Sequence, residues 1–120
     1  MQSVDEALQE LLGFPGVRSA LLAGREGLVI RMRGETAVDG ETLAAIVPAL
    51  IRGSVEAGQA MEAGSFRLCV FEFASGLLVL SSVGEDGILA VAVRGDANIG
   101  GLLHALDRKR GRLDDLDEHV

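Results

Sequence analysis

Three segments in the second half of the chain are apolar on both faces of an extended strand. They span residues 66–73, 77–83 and 88–94 and are separated by Ala74-Ser75-Gly76 and by Gly84-Glu85-Asp86-Gly87. An antiparallel sheet with one wet face would alternate between apolar and polar side chains, so these strands must be covered on both sides. The segments therefore predict an antiparallel meander sandwiched between helices.

The first of these strands also raises the question of what lies beside it. Alternate side chains of a strand point to opposite faces, which predicts two apolar sets: Phe66, Leu68 and Val70, and opposite them Cys69, Phe71 and Phe73. Only Arg67 and Glu72 carry charge in this stretch. An apolar edge of this length is an aggregation hazard unless another strand pairs with it.

Three other segments have the 3.6-residue periodicity of amphipathic helices. The first follows Ser3 and ends at Gly13-Phe14-Pro15-Gly16, and the last opens near Asn98 as its N-cap. The long middle helix is predicted from Asp39, its N-cap, to about Ala63, with a kink but no break at Pro48. Its main apolar face contains Leu43, Val47, Leu50, Ile51, Ser54, Gly58 and Met61.

The remaining segments, 17–23 and 28–33, are β-prone and joined by a tight turn with two glycines, which predicts a hairpin. The expected fold class is therefore α+β, in the order α-β-β-α-β-β-β followed by the last helix. We expect one domain over residues 1–112 and an acidic, disordered tail over residues 113–120. At 120 residues the chain is long enough for one domain with a real core and too short for two.

Composition excludes several functions. A net charge of −7 disfavours binding to nucleic acid, which needs a positive field. No apolar run approaches the roughly 20 residues of a membrane-spanning helix, and the first residues lack the basic start of a secretory signal. We therefore expect a cytoplasmic protein without membrane insertion. The single cysteine, Cys69, cannot form an internal disulfide or a thiol metal cage.

The sequence offers no catalytic, metal or cofactor site. His104 and His119 have no nucleophile placed beside them by local spacing, and Cys69 is expected to be a small apolar strand residue. No glycine set matches a phosphate loop or a dinucleotide fingerprint. The acids of the tail lack calcium-loop spacing, and the basic residues at 108–110 and 112 suit a helix C-terminus, although they also form a weak candidate docking patch.

Several short motifs, taken in order, resemble one known family. They are Phe14-Pro15-Gly16-Val17, Gly27-Leu28, Leu43-Ala44-Ala45, Ser82-Val83-Gly84 and Asn98-Ile99-Gly100-Gly101-Leu102. Over about residues 3–112 the chain is similar to the roadblock family of dynein light chains and bacterial GTPase regulators. The resemblance implies a five-stranded antiparallel sheet with the long helix on one face and the first and last helices on the other.

The resemblance also implies a homodimer in which the third strands meet edge to edge and the long helices pack together. Phe66, Leu68 and Val70 would lie at the strand contact. The sequence supports the helix contact through a stripe of small residues, which lets another helix approach closely; it contains Ala45, Ala49, Gly53, Ala57 and Ala60. The alternative is that this stripe faces only solvent or its own sheet.

By the same resemblance, the expected function is that of a non-catalytic homodimer that binds and regulates a small Ras-like GTPase. Arg52, Glu56 and Gln59, on the exposed side of the long helix, are the candidate GTPase-binding residues, and Arg52 is the candidate for an arginine supplied in trans. Two alternatives stay open. One is a structural subunit of a larger assembly. The other is a small-molecule sensor, for which the strands supply chiefly Ser81, Ser82 and Arg67 as polar groups.

Overall fold

The computed structural model describes residues 2–110 of the chain. The expected order of elements is confirmed. These are α1 (Val4–Leu12), β1 (Val17–Ala23), β2 (Val29–Gly34), α2 (Gly40–Ala60), β3 (Leu68–Phe73), β4 (Gly76–Val83), β5 (Gly87–Arg94) and α3 (Gly100–Lys109). The predicted boundary at residue 112 and the tail lie outside the described residues.

All five strands form one antiparallel sheet in the order β2-β1-β5-β4-β3. The strands β1, β5 and β4 therefore occupy the centre, and β2 and β3 are the two edges. The meander of β3, β4 and β5 pairs as the sequence predicts, and the hairpin of β1 and β2 joins it through β1.

Both faces of the sheet are buried, and the core accordingly has two parts. On one face α1 and α3 pack together over Leu22, Val79, Leu89 and Val91. On the opposite face α2 packs over Leu21, Leu78, Leu80 and Ala90 through Ala44 and Val47. Burying a single leucine or valine contributes about 1.5–3 kcal/mol, so this two-sided packing is the main source of the fold's stability.

Local capping fixes where α1 begins and how α3 approaches it. The hydroxyl of Ser3 accepts a hydrogen bond from the N–H of Glu6, whose carboxylate accepts from the N–H of Ser3, which forms a capping box. For α3 the cap is Ile99 and not Asn98, although the Asn98 side chain still accepts from the N–H of Gly100 (3.0 Å). At Gly101 a Cβ would lie 3.2 Å from Phe14, so this glycine allows α3 to pack closely.

The long helix α2 runs without a break through Pro48 and is shorter at its end than the sequence predicts. Asp39 caps it by accepting hydrogen bonds from the N–H and hydroxyl of Thr42. The helix ends at Ala60 because the backbone turns into the left-handed region at Glu62 (φ 53°) and at Gly64 (φ 90°). Met61, which was expected on the apolar face, is instead the C-cap and is 69% exposed.

Two strands begin later than predicted. The first edge strand, β2, starts at Val29 and leaves Leu28 65% exposed, because the preceding turn needs a positive φ at Gly27. The second, β3, starts at Leu68, so Phe66 lies before the strand. Phe66 packs with the α2 side of the core and not on the face of Leu68, which was the prediction. Strand alternation fails there because the chain is still in the irregular connection from α2.

A buried lysine ties α3 to α1. The ammonium group of Lys109, 5% exposed, contacts the carboxylate of Glu10 at 3.0 Å and donates to the side-chain oxygen of Gln2 at 2.7 Å. Gln2 in turn donates to Glu10 at 2.9 Å, which closes a triangle. These hydrogen bonds from Gln2 and Lys109 lower the pKa of Glu10 below its ordinary value of 4.5. Lys109 is therefore a packing residue and not part of a basic docking patch.

No helix in the described part of the chain is long and apolar enough to cross a membrane.

We predict that Glu10→Gln lowers the free energy of unfolding by about 1–2 kcal/mol at neutral pH, because it leaves a buried ammonium short of its carboxylate. The pKa of Glu10 is lower in the folded protein, so its contribution is present above pH 4.5 and is lost as the pH falls through the folded value. The difference between the two proteins should therefore shrink in acid, as measured by urea unfolding across pH.

The matched control is Glu35→Gln, which removes an exposed ion pair to Arg18 of similar length (3.2 Å). Exposed pairs of this kind are worth about 0–1 kcal/mol, so the control should change stability little at any pH. An equal effect of the two substitutions would contradict a special role for the Lys109 triangle.

Candidate interaction surfaces

The outer edge of β3 carries backbone groups that β4 does not bond. The N–H of Ser82 donates to the carbonyl of Arg67 (3.0 Å), and the register then pairs Leu68 with Ser81 and Val70 with Val79. Bonded and non-bonded pairs alternate along an antiparallel ladder. The N–H groups of Leu68, Val70 and Glu72 therefore face away from β4, in the plane of the sheet.

The side chains at this edge are apolar and partly exposed. Val70 is 40% exposed and Phe73 60% exposed, on opposite faces of the sheet, and Glu72 is the one charged residue within β3. In the single chain, no described strand lies on the outer side of β3. An exposed strand edge with few charges and unpaired backbone groups can pair with other chains, so proteins ordinarily cover or block such an edge.

The second surface is the side of α2 that faces away from the sheet. Every residue of the predicted small-residue stripe is exposed there, so the main apolar face alone serves the sheet; the stripe contains Ala45, Ala49, Gly53, Ala57 and Ala60. A Cβ built on Gly53 would meet nothing within 4 Å in the single chain. The candidate GTPase-binding residues Arg52, Glu56 and Gln59 are exposed on the same helix.

Two exposed apolar residues near the start of α2 were not predicted as surface residues. Ile46 is 45% exposed, and Leu28 follows Gly27, at which a Cβ would lie 3.3 Å from the backbone carbonyl of Ala44. In the sequence Leu28 resembled the first residue of a strand, and Ile46 lay beside the stripe without matching its small size. Both are large apolar residues that lie outside the main apolar face of α2, and this was the signal that the sequence offered.

The third surface is a groove of about 820 Å³ beside the middle of α2. Its walls are α2, the β1–β2 turn, the residues just before β3 and the β4–β5 turn. We call it the arginine groove because four arginines line it: Arg25, Arg52, Arg67 and Arg110. Its apolar lining comes from Val47, Ile51, Val55, Phe66 and Ile88.

Three of the four arginines are already paired with acids. Arg25 contacts Asp86 at 3.3 Å, while Arg67 and Arg110 share the carboxylate of Asp107. Within residues 2–110, Arg52 has no ion pair. Arg52 is therefore the guanidinium in this groove that is free to bind a carboxylate or phosphate from a partner.

The polar residues considered for a sensor do not converge. Ser81 is buried on the sheet face that α1 and α3 cover, whereas Ser82 and Arg67 line the arginine groove on the other side. Cys69 lies on the α2 side, with its sulfur 3.9 Å from the hydroxyl of Ser54, and His104 is exposed. The described residues contain no group of three metal-ligating side chains that lie close together.

The fold and these surfaces define a class of protein: a small α+β module with a helix-covered sheet, an open strand edge and an exposed helix face. Residues 3–92 match the model of one family, described as the Roadblock/LC7 domain. The chain belongs to the Roadblock/LC7 family. The matched range ends within β5, earlier than the 3–112 that the motifs suggested. No curated protein sequence matched the chain.

Solved structures agree with this assignment. The Roadblock/LC7 domain from Streptomyces avermitilis is 27% identical, with a TM-score of 0.79, and the alignment covers 89% of this chain and 91% of that one. The gliding protein MglB from Thermus thermophilus is 22% identical (TM-score 0.81; 97% and 89% covered). An MglB structure described as having a tetrameric arrangement is 23% identical (TM-score 0.82; 96% and 88% covered).

We predict that Val70→Pro prevents self-association through β3. The substitution removes an N–H that faces the open edge and leaves the β3–β4 hydrogen bonds in place, so the single-chain fold should persist. Light scattering coupled to size exclusion should show a monomer or an aggregate instead of a dimer. The matched control, Val70→Thr, keeps both the N–H and a β-branched side chain and should remain dimeric. An unchanged dimer in the proline variant would rule out pairing at this edge.

A second prediction concerns the helix face. Gly53→Gln should raise the helix propensity of α2 by roughly 0.5–1 kcal/mol, and the single chain has open space for the side chain. If the stripe packs against another α2, the longer side chain should nevertheless weaken the dimer. Sedimentation equilibrium measures this effect. Gly53→Ala is the control because it gives a similar propensity gain with a small side chain; equal dimer affinity of both variants would contradict helix pairing at Gly53.

Proposed function

We propose that this protein is a non-catalytic homodimer that binds and regulates a small Ras-like GTPase. The observation that carries the proposal is the exposed face of α2, on which a small-residue stripe lies next to Arg52, an arginine without an acidic partner among the described residues. Family membership supports the same function, since the resemblance to roadblock-type GTPase regulators implies it. We expect this protein to act in the cytoplasm.

Self-association is supported by two separate surfaces. The outward N–H groups at Leu68, Val70 and Glu72 are suited to pairing with the same strand of a second copy, and the symmetry of such a contact makes it self-complementary. Pairing at this edge would extend the sheet from five strands to ten. It would also bring the two α2 helices to the same face of that sheet, where the stripe allows close approach. An arrangement of several copies is described for one MglB structure.

The proposed GTPase surface is the part of the α2 pair that stays exposed in the dimer. Arg52, Glu56 and Gln59 lie there in the single chain and together offer one cation, one anion and one amide. A partner that hydrolyses GTP needs a positioned water and a stabilising cation. The protein would meet that need either by ordering the GTPase's own catalytic loops or by supplying Arg52 in trans.

The first test is a pull-down with the tagged full chain from its native lysate, run with GDP and with a non-hydrolysable GTP analogue and analysed by mass spectrometry. A small GTPase retained preferentially with the analogue is the expected result. Recovery of another assembly without any GTPase in either sample would contradict the regulator function and favour the structural-subunit alternative.

We predict that Arg52→Ala weakens binding of the recovered GTPase by about tenfold or more. Truncating an arginine that is central to an interface typically loses more than about 1–2 kcal/mol of binding free energy. Isothermal titration calorimetry measures the affinity. The control is Arg94→Ala, an exposed arginine at the opposite end of the sheet from the arginine groove, whose removal should leave the affinity unchanged. A full-strength interaction in the Arg52 variant would remove this residue from the proposed site.

A further inference from the structure

The arginine groove has more cationic than anionic side chains, although the protein as a whole is acidic. The chain as a whole has a net charge of −7, yet four arginines and only two acids, Glu85 and Asp86, line the groove. Asp107, outside the lining, is shared between two of the arginines, and Arg52 has no acidic partner within residues 2–110. Electrostatic complementarity therefore favours an anionic occupant.

The same groove has an apolar floor. Val47, Ile51 and Val55 contribute it from α2, with Phe66 and Ile88 from the sheet side. An inorganic anion would neutralise the arginines and leave these side chains uncovered. The lining therefore fits a peptide that carries both acidic and apolar residues.

The chain itself contains such a peptide directly after the groove. Residues 111–120 read Gly-Arg-Leu-Asp-Asp-Leu-Asp-Glu-His-Val, with four acids, one arginine and the apolar Leu113 and Leu116. The segment continues from Arg110, which lines the groove. Ten extended residues reach about 33 Å, close to the 35 Å length of the molecule. A tether this short gives a local concentration on the order of millimolar, so even weak contacts suffice.

Arg110 provides a second observation at the same place. Its Nε–H is buried and has no hydrogen-bond partner among the described residues, whereas its Nη1 donates to Asp107. An unsatisfied buried donor costs about 1–3 kcal/mol. An acceptor from the residues that follow Arg110 would relieve this cost.

We infer that residues 111–120 dock in the arginine groove of their own chain. The four acids of this segment complement the positive charge of Arg52, and its two leucines supply apolar surface that matches the floor of the groove. Because Arg52 lines the groove, the docked tail covers part of the surface assigned to the GTPase and competes with it. The docking itself depends only on the groove and the tail, while this regulatory consequence rests on the proposed function.

Paramagnetic relaxation enhancement on the full chain tests the docking. A nitroxide is attached at His119→Cys in a Cys69→Ser background, which leaves all four tail acids in place. The amide signals of Arg52, Val55, Phe66 and the β4–β5 turn should be weaker than in the same sample after the nitroxide has been reduced. The control variant changes the four acids to Asn and Gln. Both this variant and about 1 M salt, at which the screening length is about 3 Å, should restore the signals.

Three outcomes would overturn the inference. Signal loss confined to residues 108–110 would show a tail that does not dock. Signal loss that persists in the neutralised tail would show a contact not based on the arginines. The third outcome comes from a sample in which one set of chains carries the isotope label and a separate set carries the spin label. Loss of the groove signals in that mixture would show that the tail docks in a second copy and not in its own chain.

The competition is measured separately, with the GTPase recovered by the GTP-analogue pull-down. The neutralised tail should raise its affinity by a factor equal to the reciprocal of the undocked fraction. If docking is observed and no GTPase binds, the proposed function fails and the inference stands. If the GTPase binds the full chain and the neutralised variant equally and no docking is observed, the inference fails and the proposed function stands.

Discussion

Both faces of the central strands are apolar, and covering them is the constraint on which the rest of the structure depends. Leu22 and Leu21 are neighbours in β1, and each is buried on a different face of the sheet. Each buried leucine contributes about 1.5–3 kcal/mol to the free energy of unfolding, whereas an exposed ion pair contributes about 0–1 kcal/mol. Apolar packing, and not charge, therefore holds the helices in place. The long α2 must lie on one face, and α1 and α3 must share the other.

The helices cover the faces of the sheet but not its edges. The β3 edge combines apolar side chains, such as Val70 and Phe73, with backbone donors that no described strand uses. Pairing with a second copy, as proposed, would satisfy both at once, and it would place the two α2 helices on the same side of the enlarged sheet with part of their surface still exposed. The proposed dimer and the proposed GTPase surface are therefore two consequences of one architecture.

Periodicity in the sequence was enough to predict the elements, their order and the two-sided core, because these depend on short-range patterns. It failed at Phe66, where the left-handed turn at Gly64 delays the strand, and at Met61, beyond the end of α2. The burial of Lys109 was not predictable, since its partner Gln2 is 107 positions away in the chain. The arginine groove was missed for the same reason: its four arginines come from separate segments. The interface residues remain predictions.

Amide hydrogen exchange gives the most direct test of the central claim, that the β3 edge is paired with a second copy. The N–H groups of Leu68, Val70 and Glu72 face this edge. The N–H of Met32 faces the opposite, outer edge of β2, because the N–H of Glu35 donates to the carbonyl of Arg18 and the direction of the N–H groups alternates along β2 from there. Pairing predicts that the three β3 amides exchange more slowly than Met32 and slow further as protein concentration rises. Exchange as fast as that of Met32 at every concentration would contradict it.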